Sequence, residues 1–70
     1  MNDIRLIAFG HKVRAIRKTK GLSQEALADL SGIDRSYMGH IERGQKNVTL
    51  LKIYQIADAL NVSVSKFFDC

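Results

Sequence analysis

The stretch that decides the fold is Leu22-Ser23-Gln24-Glu25-Ala26-Leu27-Ala28-Asp29-Leu30-Ser31-Gly32-Ile33-Asp34-Arg35-Ser36-Tyr37-Met38-Gly39-His40-Ile41-Glu42-Arg43-Gly44. It reads as two short helices joined by a turn. Ser23 is a favoured N-cap with Glu25 in the first turn behind it, and Leu27, Ala28 and Leu30 are expected to form the inner face. Gly32 permits the positive φ that stops this helix, Ile33 can plug the gap between the two, and Asp34 caps the next. That helix runs to about Arg43, and Gly44 ends it. A short glycine-containing turn between two short helices is the geometry of a helix-turn-helix, although the turn alone also fits any helical hairpin.

The second helix of the pair separates these readings. At 100° per residue Tyr37, Met38 and Ile41 fall on one side, toward a core, while Arg35, Ser36, Gly39 and His40 occupy the opposite arc. An ordinary solvated face would carry Glu/Lys pairs and avoid glycine, which costs about 1 kcal/mol inside a helix. The arc is instead short, neutral to positive and cut away at Gly39, where another surface is expected to come close. Arg35 lies at the end that a recognition helix points at base edges, and arginine can bond guanine O6 and N7 together. Ser36 and His40 are weaker candidate readers.

Outward from this unit, the rest is helical too. A first helix over about 3–20 repeats Ile4, Ile7 (or Phe9), Val13 and Ile16, with Asp3 as cap or first-turn acid. Arg17, Lys18 and Lys20 suit its C-terminal dipole, and Gly21 supplies the stop. After the polar loop Gln45-Lys46-Asn47, Thr49 caps a helix that turns Leu50, Ile53, Ile56, Ala57 and Leu60 inward and ends at Asn61. Ser63 caps a last helix holding Val64, Phe67 and Phe68. No segment alternates long enough to make a strand. The expectation is an all-α, compact five-helix bundle, one domain over residues 1–70, with helices at about 3–20, 24–31, 35–43, 50–60 and 64–69.

Composition narrows the function. The chain has 70 residues, 46% of them hydrophobic, with no proline and five glycines. Its net charge is +4 and its pI about 9.6. Six of the eleven basic residues precede Gly21, against one acid, Asp3. A cationic domain of this kind fits a partner carrying phosphates. The single cysteine, Cys70, cannot form an internal disulfide, so the cytoplasm is the expected compartment. Neither a signal-peptide layout nor an apolar run of about 20 residues is present, and no membrane partner is expected. His11 and His40 lie in different helices without His-Glu-x-x-His or Cys-x-x-Cys spacing, so neither a metal nor a cofactor is expected. Ser23 and Ser63 are explained as caps, no glycine-rich loop follows a strand, and little chain remains for a substrate or ligand pocket. Catalysis is not expected.

With Leu22-Ser23-Gln24-Glu25-Ala26-Leu27-Ala28, Gly32-Ile33-Asp34 and Ile41-Glu42-Arg43-Gly44, the chain resembles the Xre-type (lambda-repressor-like) helix-turn-helix family from about Val13 to Phe68. Its compact size, together with Asp34-Arg35-Ser36-Tyr37 and Val62-Ser63-Val64, is most similar to controller proteins of restriction–modification systems. The resemblance implies a homodimer on a palindromic operator in double-stranded DNA, with RNA polymerase as a further candidate partner. It assigns base reading to Arg35, Ser36 and His40. It assigns the DNA backbone to Gln24, Tyr37, Arg43, Gln45, Lys46 and Asn47; Gln24 stands near a helix N-terminus, where an anion is welcome. Arg17 and Glu42 match a structural ion pair joining the first helix to the end of the third.

A dimer surface is sought on the fourth helix, where Leu51 sits roughly opposite the centre of the core arc. With Tyr54, Val64 and Phe68 it is expected to form a self-complementary patch, setting two recognition helices about 34 Å apart, one turn of DNA. The alternative reading is an antitoxin that uses this scaffold mainly to occlude a toxin. A third is non-specific nucleic-acid binding driven by charge, which predicts steep salt dependence without sequence preference.

Overall fold

The computed structural model describes residues 3–68. Four α-helices follow one another: α1 (Ile4–Thr19), α2 (Gln24–Ser31), α3 (Arg35–Glu42) and α4 (Leu50–Leu60). Ser23 accepts from the Ala26 amide, Asp34 from those of Ser36 and Tyr37, and Thr49 from that of Lys52, so three of the caps read from sequence are made. Asp3 caps α1 through the Arg5 amide and pairs with the Arg5 side chain. Those hydrogen bonds from Arg5 hold the Asp3 carboxyl at about 2, down from its usual 3.8. Every helix ends alike: a left-handed residue (Gly21, Gly32, Gly44 or Asn61) precedes an amide that reaches back to the carbonyl five residues earlier, as Ile33 does to Ala28.

The last segment departs from expectation. Val64–Phe67 is a 3-10 turn, not a fifth α-helix. Ser63 makes no side-chain cap there; its hydroxyl meets that of Ser65 at 2.9 Å instead. One uncapped turn cannot offset the cost of nucleating an α-helix, and the tighter i→i+3 bonds prevail. Asp69, the last residue of the helix expected over 64–69, and Cys70 lie outside the described residues.

Phe9, Val13, Leu27, Ala28, Ile33, Met38, Ile41, Ile56, Ala57, Leu60 and Phe67 form one core drawn from every element. Three expected core positions are exposed instead. Ile4 lies on the far side of α1 from Phe9 and Val13, so Phe9 takes the place offered to Ile7 or Phe9, and Ile7 is half-buried. On α2 the inner arc centres on Ser31, whose hydroxyl donates back to the Leu27 carbonyl at 2.7 Å; this turns Leu30 outward. On α4 Leu50 borders the core arc on the side of Tyr54 and remains 65% exposed.

Two glycines let α1 meet the end of α3. A Cβ on Gly10 would stand 2.5 Å from the Ile41 carbonyl oxygen and 2.6 Å from that of Glu42. Gly44, at φ +74°, would place one 2.6 Å from the Ile7 Cα. Both contacts are backbone, which cannot swing aside as a side chain does. The C-terminal end of the helix expected to read DNA is therefore seated directly on α1.

Candidate nucleic-acid interface

The turn between α2 and α3 is built as its residues require. Gly32 is left-handed at φ 71°, Ile33 is buried between the helices, and the Asp34 carboxylate accepts from the second and third amides of α3, those of Ser36 and Tyr37. Met38 and Ile41 are buried and Tyr37 packs partly against them, which fixes the rotation of α3 about its axis. That rotation leaves Arg35 and Ser36 exposed and His40 half-exposed, none of them in the core. The Arg35 guanidinium donates from Nη1 to Glu25 Oε2 on α2 at 2.6 Å.

Gly39 does not lie on the open arc. It is buried, and a Cβ there would meet Gln24 Oε1 at 3.2 Å and the Arg43 guanidinium at 3.3 Å. The surface for which the missing side chain makes room is thus the protein's own: Gln24 and Arg43 lie across α3 at this point. The wheel placed Gly39 outward because it takes no account of how closely α2 crosses.

Gln24 is held from a second side. Arg17 and Glu42 form a buried pair, with Nε to Oε2 at 2.7 Å and Nη2 to Oε1 at 3.0 Å. Glu42 Oε1 also accepts from Gln24 Nε2 at 3.1 Å, and Arg17 Nη1 donates to the Leu22 carbonyl at 2.8 Å. One carboxylate therefore ties together α1, the start of α2 and the end of α3.

Four of the six residues expected to meet the DNA backbone fall into two groups. Arg43 Nε donates to Gln45 Oε1 at 3.2 Å, and His40 Nδ1 lies 2.7 Å from the same oxygen and 3.1 Å from Arg43 Nη2. The imidazole tautomer selects between these: Nδ1–H donates to Gln45, and a bare Nδ1 accepts from Arg43. Beside this cluster, Lys46 and Lys52 set their ammonium groups over the Tyr37 ring, 5.6 and 5.5 Å from its centre. Asn47 is exposed in the loop.

Lys52 escaped the sequence reading, and Glu25 entered it only as a first-turn acid, without its pairing to Arg35. Lys52 left one signal: it is a cation in the first turn of a helix that has no acid there, the end that disfavours positive charge. The pairing of Glu25 left none, since its partner lies ten residues away on another helix.

On the other flank, Leu51, Tyr54 and Phe68 of the expected dimer surface are 68%, 51% and 61% exposed, and Leu50 joins them. Phe68 stacks on Phe9 with ring centres 5.9 Å apart. Val64 is half-buried against the core and offers less surface. Among the described residues, no helix is long and apolar enough to cross a membrane.

Residues 13–67 match the model of the HTH_3 helix-turn-helix family. The control protein C.SmaI of Serratia marcescens is 47% identical over 64 residues, 91% of this chain and 75% of that protein. The control protein C.MunI of a Mycoplasma species is 42% identical over 69 residues, 97% of this chain and 92% of its own. Among solved structures, the restriction-modification controller protein C.AhdI from Aeromonas hydrophila superposes with a TM-score of 0.92 at 50% identity, over 94% of this chain and all of that one. Both the fold and the sequence likeness span the helix-turn-helix and the elements that support it, and the chain belongs to the HTH_3 (Xre-like) family of helix-turn-helix transcriptional regulators, homologous to restriction–modification controller proteins.

Proposed function

We propose that the protein is a controller-type regulator that binds a palindromic operator as a homodimer, acting through binding and not catalysis. The observation that carries this reading is the outward presentation of Arg35 and Ser36 at the N-terminal end of α3, on a helix whose opposite side is locked into the core. In this reading α3 enters the major groove, and Arg35 places its guanidinium fork on guanine O6 and N7. Ser36 and His40 face neighbouring base pairs.

Gln24, Arg43, Gln45, Lys46 and Asn47 grip phosphates and set the register, with Tyr37 carrying Lys46 and Lys52 beside them. Leu51, Tyr54 and Phe68, with Leu50, meet their copies across the two-fold axis, so that two α3 helices face successive grooves. The restriction–modification context comes from the likeness to C.AhdI, a restriction-modification controller protein.

Selecting bound sequences from a random duplex pool tests the whole reading. The expected product is an inverted repeat with half-sites about 10 base pairs apart, preferred about 10³-fold or more over random DNA. Uniform retention of the pool would refute sequence-specific binding, and a single unrepeated site would refute the dimer.

A further inference from the structure

Of the three ion pairs among the described residues, one pairs the assigned arginine reader with an acid of the neighbouring helix: Glu25 and Arg35. Both side chains are open to solvent, at 55% and 68%. An exposed pair of this kind contributes little to folding, and a carboxylate on a face that must meet phosphates opposes binding to any DNA. Neither stability nor general affinity accounts for it. The geometry does offer a role. Arg35 spends Nη1 on Glu25, and the guanidinium retains donors at Nη2 and Nε with which to meet a base. A fork anchored at one corner has fewer orientations to search than a free one.

We propose that Glu25 is a specificity-determining residue that positions the Arg35 guanidinium for its base and weakens binding to DNA that lacks that base. On the right sequence the arginine is presented already oriented, and its bonds to the base offset the repulsion of the carboxylate. On any other sequence the repulsion stands alone. This inference rests on Arg35 being a base reader, and the experiment separates the two claims.

Fluorescence anisotropy would compare the selected operator, operators changed at one base pair each, and a random duplex. Arg35→Ala comes first and identifies the base pair at which preference relaxes. Glu25→Ala is then expected to lower discrimination at that same pair by about three- to fivefold, the size of one exposed charge pair, while the other pairs keep theirs. It is also expected to strengthen binding to the random duplex. Glu25→Gln keeps an oxygen acceptor without the charge; it should restore part of the discrimination and still strengthen random binding. In an Arg35→Ala background, Glu25→Ala should change discrimination at no position.

Equal weakening on every operator, or the same loss of discrimination with and without Arg35, would overturn the role of Glu25 and leave Arg35 a reader. If Arg35→Ala relaxes no position, the base-reading assignment falls and this inference falls with it.

Discussion

Replacing Arg17 by methionine removes the guanidinium from Glu42 and keeps most of the aliphatic bulk. Glu42 is 4% exposed and accepts three hydrogen bonds, two of them from Arg17 at 2.7 and 3.0 Å. Without Arg17 the carboxylate retains only Gln24 Nε2 at 3.1 Å, and the Leu22 carbonyl loses its 2.8 Å donor. An uncompensated buried charge of this kind costs about 3–5 kcal/mol. A 70-residue domain at 0.05–0.15 kcal/mol per residue has about 4–10 kcal/mol in all. Arg17→Met should therefore remove about 30% or more of the stability and lower the melting temperature by about 12–40 °C. The double variant Arg17→Met/Glu42→Leu removes the stranded charge as well and should recover most of the loss, because a buried pair is often no better than apolar groups of similar volume. Urea unfolding followed by far-UV circular dichroism, repeated at several protein concentrations to separate subunit association from folding, measures both. A cost below about 1 kcal/mol for Arg17→Met, or a double variant as unstable as the sum of the singles, would refute the reasoning.

Arg35→Ala should relax preference at one guanine, whereas Lys46→Ala should weaken all duplexes about equally and lower the salt slope by about 1. Equal losses on operator and random DNA for Arg35→Ala would remove it from the readers. Leu51→Glu, at a position 68% exposed, should move sedimentation from dimer to monomer with the helical spectrum intact; an unchanged dimer clears that position. Because Asp3 is held at about 2 when folded against 3.8 ordinarily, its contribution is complete above about pH 4 and disappears as the pH falls toward 2. The stability advantage over Asp3→Ala should shrink across that interval, and a constant difference between pH 5 and 2 would show that the Arg5 contact does not form in solution.

The parts of this fold that could be read in advance are those decided within a few residues. Caps at Ser23, Asp34 and Thr49 and stops at Gly32 and Gly44 depend on local backbone chemistry, so their sequence signatures sufficed. Errors arose where a neighbouring helix decides the outcome. Leu30 outranks Ser31 in hydrophobicity, yet Ser31 can return its hydroxyl to the Leu27 carbonyl and occupy the narrow inner face. The helical wheel leaves Gly39 as a gap for an outside surface, whereas Gln24 and Arg43 fill it. The exposure of Arg35 and Ser36 was legible because two buried neighbours, Met38 and Ile41, fix which side of α3 remains free. Glu25 and Lys52 were not, because each acquires its partner only when α2 or α4 packs beside α3.

The Glu42 carboxylate also links stability to the proposed DNA contacts. Its Oε1 holds Gln24 Nε2, and Gln24 Oε1 lies against Gly39 in the middle of α3. Gln24 is thus located by the ion pair on one side and by the absent side chain on the other. If Gln24 meets phosphate, the register of the protein on DNA is set by the same group that joins α1 to α3. Loss of Arg17 should then shift every phosphate contact as well as lower the melting temperature. Loss of an exposed side chain such as Arg35, the proposed reader, should remove one base contact and leave this frame intact. Folding substitutions and reading substitutions should consequently separate: the first weaken operator and random DNA together, the second narrow the ratio between them.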